Sequence, residues 1–230
     1  MLFHVLQCSP GTPRSRASTA LSQGGLTLGS VTPAYGLDIE TDTARGGLDP
    51  RDCGVVAAAV AGADGVTVVT GPEPHLLAAL DGLLGALPPG ILVTWNGSAF
   101  DLPFLSDRAR YWGIPLGLRL RLDPGIVSTH PPLGGHAGAY RAQWHGHRHV
   151  DAYRAYRALL SEGSCALKAV ARRYGLPVIE ADPARIHELS PDQLRGYVAR
   201  DAELALRLAR ARWAEVEAFG DPALETRRAS

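Results

Sequence analysis

Three β-type segments lie close together in the first third of the sequence, and they constrain the fold more than any other feature. Residues 35–40, 53–61 and 65–70 are rich in β-branched and apolar side chains. The sequence Gly-Ala-Asp-Gly at residues 62–65 separates the last two and suits a tight hairpin turn. Because short connections join antiparallel neighbours, the sequence predicts three consecutive antiparallel strands.

The middle of the chain alternates between helical and strand patterns. Residues 72–87 carry leucines at helical spacing and end at a Pro-Pro-Gly stop at residues 88–90. The short apolar run 91–95 is typical of a buried parallel strand, residues 99–111 predict a helix, and residues 149–151 predict a last short strand.

Three more helices are predicted, at residues 152–160, 165–174 and 191–219. Ser164 is the expected N-cap of the second, and Gly175 suits the position after its end. Ser190 and Gln193 form the pattern of a capping box at the start of the third. The fold class is therefore α/β, with a mixed sheet of three antiparallel strands followed by parallel strands, flanked by helices.

Three parts of the chain lack a regular pattern. Residues 1–33 are rich in Ser, Thr, Gly, Pro and Arg and are expected to form a flexible lead-in, and residues 220–230 a C-terminal tail. One domain is thus predicted over residues 34–219. Within it, residues 115–146 are rich in Gly, Pro and His and are interpreted as an irregular insertion, long enough to suggest a functional role.

The net charge, the cysteine spacing and the length of the apolar runs each argue against certain classes of protein. The formal net charge is zero, which argues against tight, indiscriminate nucleic-acid binding, although bound metal ions can supply local positive charge. Cys8, Cys53 and Cys165 are scattered singly, as expected in a reducing compartment, and we expect a cytoplasmic protein. No apolar run is long enough for a membrane span.

Acidic residues at three places suggest a metal site. Asp38 and Glu40 are two apart on a predicted strand and so share one face, where a divalent cation would relieve their mutual repulsion. Tyr197 and Asp201 are four apart on one helix face, and Asp101 opens a helix after a strand end. Each acid alone is more simply a surface acid or, for Asp101, a favourable charge at a helix start.

Together, three motifs resemble those of the DEDD exonucleases. The sequences are LDIET at residues 37–41, NGSAFD at 96–101 and YVARD at 197–201. The Tyr-x-x-x-Asp form of the third motif, with Gly196 before it, resembles the tyrosine branch of that superfamily.

Two further segments make the resemblance closest to the proofreading domains of family B DNA polymerases. They are HVDAY at residues 149–153 and ALKAVA at 166–171, and the whole resemblance covers residues 35–213. We expect no polymerase domain beside the motifs, so a proofreading role is not carried over. The insertion at 115–146 matches no motif of the family.

The resemblance implies a ribonuclease H-like fold and a 3′-5′ exonuclease with two Mg²⁺ or Mn²⁺ ions. Asp38 would bridge both ions, Glu40 and Asp201 would complete the first site, and Asp101 would hold the second. Tyr197 would orient the attacking water. The expected partner is the 3′ end of single-stranded DNA or RNA, with DNA favoured, and the product is a nucleoside 5′-monophosphate.

Substrate contacts are expected next to the second motif. Asn96 lies in a turn that lets a substrate backbone approach, and Phe100 and Leu102 are candidates to contact the terminal base, with a core position as the alternative for Phe100. Asp151 is the weakest candidate for a further site acid, with a structural role as the alternative. Four arginines are either phosphate contacts or solvated charges, namely Arg119, Arg121, Arg172 and Arg173.

Three rival interpretations remain. Histidines at 145, 147 and 149, with His130 and His136, suggest zinc, but their spacing in a Gly-rich region is poor for a zinc site. A non-catalytic nucleic-acid-binding module of the same fold predicts the loss of at least one metal carboxylate. An endonuclease of this fold is the third, since a fold alone does not fix a function.

Overall fold

A computed structural model describes residues 32–123, 138–160 and 163–220 and contains one seven-stranded mixed sheet. Its strands, in chain order, are β1 (Ala34–Thr41), β2 (Val55–Gly62), β3 (Gly65–Thr70), β4 (Ile91–Thr94), β5 (Leu118–Leu122), β6 (Tyr140–Trp144) and β7 (His147–Asp151). In space the order is β3-β2-β1-β4-β7-β6-β5. The central strands β1, β4 and β7 are parallel, and the outer pairs are antiparallel.

Helices cover the two faces of this sheet. They are α1 (Glu73–Ala86), α2 (Asp101–Trp112), α3 (Ala152–Leu159), α4 (Leu167–Arg173), α5 (Pro191–Ala211) and α6 (Trp213–Ala218). The leucines of α1 and α2 form one core with β1, β2 and β4. The small side chains of α3, α5 and α6 form a second core on the opposite face, and α4 packs on α3 and α5. Two short 3₁₀ turns lie at Thr43–Arg45 and Pro183–Glu188.

Most predicted elements are confirmed. The first three strands are antiparallel, and the β2–β3 hairpin closes where Gly62 pairs with Gly65. Ser190 and Gln193 form the capping box of α5 through reciprocal hydrogen bonds. Gly175 follows α4 with a φ of 67°, as expected for the residue after a helix end.

The prediction of an irregular insertion at 115–146 was wrong for its described part, because β5 and β6 extend the sheet there. Leu118 and Leu120 alternate with arginines and pack against the core, which gives β5 the two-residue period of a strand. Residues 124–137, within the same segment, lie outside the described residues.

Two helix boundaries also differ from the prediction. The last predicted helix is broken at Arg212, whose φ of −135° and ψ of 44° are not helical, so α5 and α6 are separate. Ala166, rather than Ser164, is the N-cap of α4, because the Ser164 hydroxyl accepts a hydrogen bond from the Ala166 N–H and forms a turn before the helix.

Some predictions fall where the structure gives no description. Residues 1–31 and 221–230 hold nearly all of the predicted lead-in and tail and lie outside the described residues, as does Cys8. Cys53 and Cys165 are buried free thiols. Across the described ranges, no helix combines the length and apolar character that crossing a membrane requires.

Close contact between α5 and β1 depends on a glycine. A Cβ added at Gly36 would lie 2.2 Å from the backbone oxygen of Ala202, so only glycine allows the helix to approach this strand so closely. The approach matters because the acidic residues of β1 and α5 lie next to these two positions along their elements.

Candidate active site

Strand β1 and helix α5 bring three carboxylates together. Leu37 and Ile39 are buried in the core shared with α1 and α2, so Asp38 and Glu40 face the opposite side, toward α5. One oxygen from each of Asp38, Glu40 and Asp201 lies within 4.8 Å of the others. The structure therefore joins the first and third predicted motifs into one acidic cluster.

Helix α5 holds the third motif against the sheet. Val198 and Ala202 on α5 are completely buried in the core, and this packing fixes the rotation of the helix. Tyr197 and Asp201, one position before each, are 5% and 7% exposed. The solvated-acid alternative for Asp201 does not fit this burial.

The turn between β4 and α2 positions Asp101 beside the acidic cluster. Asn96 adopts a left-handed φ of 66°, and a Cβ at Gly97 would lie 2.4 Å from the Thr94 hydroxyl, so the turn is tight. Asp101 begins α2 and is 4% exposed, and its carboxylate accepts a hydrogen bond from the backbone N–H of Ile39 on β1. It lies beside the three-carboxylate cluster but is not one of the groups within 4.8 Å.

Asp151 is a structural acid that supports this turn. Its Oδ1 accepts the N–H of Asn96 at 2.8 Å and of Tyr153 at 3.1 Å, and its Oδ2 accepts the N–H of Ser98 at 3.1 Å. Both oxygens are thus engaged by backbone donors. This arrangement supports the structural alternative for Asp151 and explains how β7 positions the segment before Asp101.

The cluster is electrostatically unfavourable when it has no cation. Burial, and then the charges of Glu40, Asp101 and Asp201, raise the pKa of Asp38 well above its usual value. Burial and the charge of Asp201 raise the pKa of Glu40 to about 8. Burial raises the pKa of Asp101 to about 7 and that of Asp201 to about 6. At neutral pH these carboxyl groups therefore tend to bind protons or another cation.

Lys168 is a site residue that the sequence analysis missed. Its Nζ lies 3.0 Å from Asp201 Oδ2 and 3.5 Å from the centre of the Tyr197 ring, and its charge lowers the pKa of Asp201. Because α4 packs on α5, this helix carries the ammonium group into the site. Two signals were available: Lys168 is the only lysine in the chain, and it lies in the ALKAVA segment that carries part of the family resemblance.

The predicted substrate contacts occupy different environments. Leu102 is completely buried in the core, which favours a packing role for this side chain, and its contact with a base stays a prediction. Phe100 is half-buried with its ring 5.5 Å from that of Phe104, which favours the core alternative. Asn96 is half-buried in the turn before Asp101 and stays a candidate.

The three described histidines of the 145–149 cluster bond to separate elements. His145 Nε2 lies 3.1 Å from the backbone oxygen of Asp81, His147 Nε2 bonds the oxygen of Leu84, and His149 Nε2 bonds the Thr94 hydroxyl. Among the described residues, the one group of metal-ligating side chains is the carboxylate cluster. His130 and His136 lie outside the described residues.

Comparisons with known proteins agree with this geometry. Residues 62–170 match the family described as DNA polymerase family B, exonuclease domain. Two DNA polymerase epsilon catalytic subunits from Arabidopsis thaliana are each 32% identical to the chain, one over 122 residues and the other over 143 residues. These matches cover 50% and 60% of the chain but only 5% and 6% of the two relatives.

A solved structure extends the similarity to most of the chain. The family B DNA polymerase from the hyperthermophilic archaeon Pyrobaculum calidifontis matches with a TM-score of 0.63 and 25% identity, over 80% of this chain and 25% of that one. The predicted ribonuclease H-like fold is confirmed, and so is the similarity to the exonuclease domain of family B DNA polymerases.

Proposed function

We propose that this protein is a metal-dependent 3′-5′ exonuclease. It would hydrolyse phosphodiester bonds at the 3′ end of single-stranded nucleic acid, with DNA favoured over RNA, and release nucleoside 5′-monophosphates. The observation that carries the proposal is the meeting of Asp38, Glu40 and Asp201 within 4.8 Å. The similarity to polymerase exonuclease domains gives this cluster its chemical interpretation.

The donor atoms fit magnesium or manganese. All the candidate ligands are carboxylate oxygens, which hard divalent cations prefer. Within the described ranges, Oδ1 of Asp201 is buried without a hydrogen-bond partner, as expected for an oxygen reserved for a cation. Asp38, Glu40 and Asp201 would hold one ion, and Asp38 and Asp101 a second. When bound, such ions lower the pKa of a coordinated water and stabilise charge on the phosphoryl oxygens.

Tyr197 would position the attacking water rather than deprotonate it. Burial, and the charges of Glu40 and Asp201, raise the pKa of its hydroxyl above the usual value near 10. The phenol therefore stays protonated at neutral pH and acts as a hydrogen-bonding group. Hydrolysis forms a bond from the water oxygen to phosphorus and breaks the bond from phosphorus to the 3′ oxygen, which leaves with a proton.

Lys168 would hold Asp201 and Tyr197 in place. Its ammonium donates to Asp201 Oδ2 and lies over the Tyr197 ring, so it restrains both members of the third motif. A protonated amine over an aromatic face is a favourable contact, and it is strengthened where water is excluded. Lys168 is 16% exposed, which is consistent with such a shielded contact.

The test uses 5′-labelled single-stranded DNA and RNA oligonucleotides with Mg²⁺, Mn²⁺ or EDTA. A ladder that shortens from the 3′ end only with metal, and is lost in Asp201→Ala, supports the proposal and reveals the preferred sugar. Asp192→Ala is the matched control, because Asp192 lies on the same helix with a fully exposed side chain. If neither substrate is shortened although the protein binds it, the non-catalytic binding module becomes the better interpretation.

A further inference from the structure

The hairpin of β5 and β6 has one face that carries basic side chains. Arg119 pairs with Gln143 across the two strands, and Arg121 pairs with Arg141. Residues directly opposite in an antiparallel pair share a face, so these four side chains lie together, and we call this set the arginine face. Leu118 and Leu120 of β5 point to the other side, toward the core.

Two members of the arginine face carry unbalanced charge. Arg119 and Arg121 are exposed, and neither has an acidic partner in the described part of the chain. Arg141 differs, because its Nε lies 2.6 Å from Asp123 Oδ2. Some other exposed arginines are paired, as Arg172 is with Glu180. Arg207 and Arg210 on α5 have no acidic partner among the described residues either, but Arg210 lies beside Pro33 and Ile91, at the opposite edge of the sheet. In a protein of zero net charge, these two adjacent unpaired guanidinium groups are a local excess of positive charge.

The arginine face lies at the same edge of the sheet as the carboxylates. Because β4 and β7 are parallel and β6 and β5 alternate in direction, the start of β6 and the end of β5 reach the edge where β4 leads to Asp101. The N–H of Tyr140, the first residue of β6, bonds the oxygen of Ser98 in that turn at 2.8 Å. Four strand spacings of about 4.8 Å place β5 roughly 19 Å from β1.

We propose that the arginine face binds the phosphate backbone of a single-stranded polynucleotide whose 3′ end lies at the carboxylate cluster. This rests on the proposed function and adds to it a second, non-catalytic contact region. Guanidinium groups pair with phosphate oxygens in a planar, two-point geometry and read no sequence. Arg119 and Arg121 would contact successive phosphates of the strand several nucleotides before the bond that is cleaved.

The competing explanation is a purely structural one. Strand β5 is an edge strand, and charged side chains on edge strands prevent pairing with other chains. Under that explanation Arg119 and Arg121 bind nothing, and their loss would leave nucleic-acid affinity unchanged. An acidic protein segment is a different partner for the same charge, and it also predicts unchanged nucleic-acid affinity.

Equilibrium binding in EDTA tests the proposal without requiring catalysis. The affinity of the full chain for a fluorescent DNA strand of about 20 nucleotides is measured by anisotropy over a range of KCl concentrations. Arg119→Ala/Arg121→Ala should bind about tenfold more weakly at low salt, with the slope of log K against log [KCl] smaller by about 1.4. Arg119→Lys/Arg121→Lys should keep most of that slope, because it keeps both charges.

Matched controls make the result specific. Arg207→Ala/Arg210→Ala removes two exposed arginines of α5 and should leave affinity and slope unchanged. Equal affinity and slope for the Arg119/Arg121 alanine variant and the unaltered protein would overturn the proposal. So would an equal loss in the lysine variant, because phosphate binding depends on the charge.

Hydrolysis rates separate this proposal from the proposed function. With metal, kcat/KM of the alanine variant should fall on the long DNA strand and stay unchanged on a dinucleotide, which is too short to reach β5. If neither the unaltered protein nor any variant hydrolyses DNA but binding depends on the two arginines, the nuclease proposal fails, while the proposal that the arginine face binds phosphate is supported. If hydrolysis is present and independent of the arginines on both substrates, the arginine face fails alone.

Discussion

The ammonium nitrogen of Lys168 lies 3.0 Å from Oδ2 of Asp201, so a positive charge of the protein contacts the acidic cluster directly. That charge lowers the pKa of Asp201 and, across a longer distance, those of Asp38 and Glu40. It only partly offsets burial, since the pKa of Glu40 remains about 8. Lys168 thus neutralises part of the negative charge of the cluster, and we expect bound metal ions to neutralise the rest.

Replacing Lys168 with methionine should move the pH dependence of activity. Without the ammonium, the pKa values of Asp201, Glu40 and Asp38 rise further, so protons compete with the metal up to a higher pH. At a metal concentration below saturation, the acidic limb of kcat/KM should shift upward by about one pH unit. A pH profile of 3′-end hydrolysis measures this shift.

Lys168→Arg is the control, because it keeps the positive charge while changing the shape of the group. Its acidic limb should stay near that of the unaltered protein, even if its maximal rate is lower. An unshifted limb in Lys168→Met would show that the ammonium does not tune the carboxylates.

Stability of the metal-free protein should fall as pH rises. Glu40, Asp101 and Asp201 have folded pKa values of about 8, 7 and 6, whereas unfolded carboxyl groups titrate near 4. Between these limits the folded state binds more protons than the unfolded state, so the free energy of unfolding decreases with pH. The loss begins near pH 4 and is complete above about pH 8. Thermal unfolding in EDTA across this range measures it.

Mg²⁺ or Mn²⁺ should reverse this loss, with a larger rise in Tm near pH 8 than near pH 5, because protons compete for the same oxygens. Asp38→Asn removes one charge from the cluster, so it should stabilise the metal-free protein near pH 8 by about 1–3 kcal/mol and abolish the metal-dependent rise. The same metal-dependent rise in Asp38→Asn would place the ion elsewhere.

The two buried acids at the turn before α2 should respond differently to the same substitution. Asp151→Asn turns one of two acceptor oxygens into a donor that faces the backbone N–H of Asn96 or Ser98, which should cost about 2–3 kcal/mol of stability. Asp101→Asn keeps an acceptor for Ile39 and removes a carboxyl with a raised pKa, so stability should be kept.

Urea unfolding and the hydrolysis assay together distinguish these roles. Asp101→Asn should lower kcat by about a hundredfold or more with its unfolding midpoint unchanged. Asp151→Asn should lower the midpoint and affect hydrolysis mainly through displacement of the turn. The opposite pattern, with Asp101→Asn unstable and Asp151→Asn inactive but stable, would exchange the two assignments.

The sequence predicted those parts of the fold whose signals are local. The β2–β3 hairpin and the α5 capping box depend on residues a few positions apart, and both are confirmed. Asp38 and Glu40 share a face because the strand period alone requires it. Their meeting with Asp201 depends on the packing of α5 on β1, which the resemblance to a family supplied and local pattern did not.

What the sequence missed depends on tertiary contacts. Lys168 became a site residue only because α4 packs on α5, and no spacing rule links position 168 to position 201. Leu102 follows Asp101 directly, yet its side chain turns into the core because helical neighbours point in different directions. Leucine and arginine alternate along β5, as is typical of a strand. The surrounding segment is rich in Gly, Pro and His, and it was therefore interpreted as irregular.

A methyl group at position 36 should push β1 and α5 apart, and so separate Asp38 and Glu40 from Asp201. In Gly36→Ala the new Cβ would lie 2.2 Å from the backbone oxygen of Ala202, and neither backbone can move without displacing β1 or α5. We expect a loss of about 2–4 kcal/mol of stability and a large loss of hydrolysis, because Asp201 moves away from Asp38. Gly82→Ala is the matched control: nothing lies within 4 Å of its added Cβ in α1, so it should stabilise the protein by about 0.5–1 kcal/mol with unchanged activity. Urea unfolding and the rate of 3′-end shortening measure both effects, and an active, fully stable Gly36→Ala would contradict the close packing of α5 on β1.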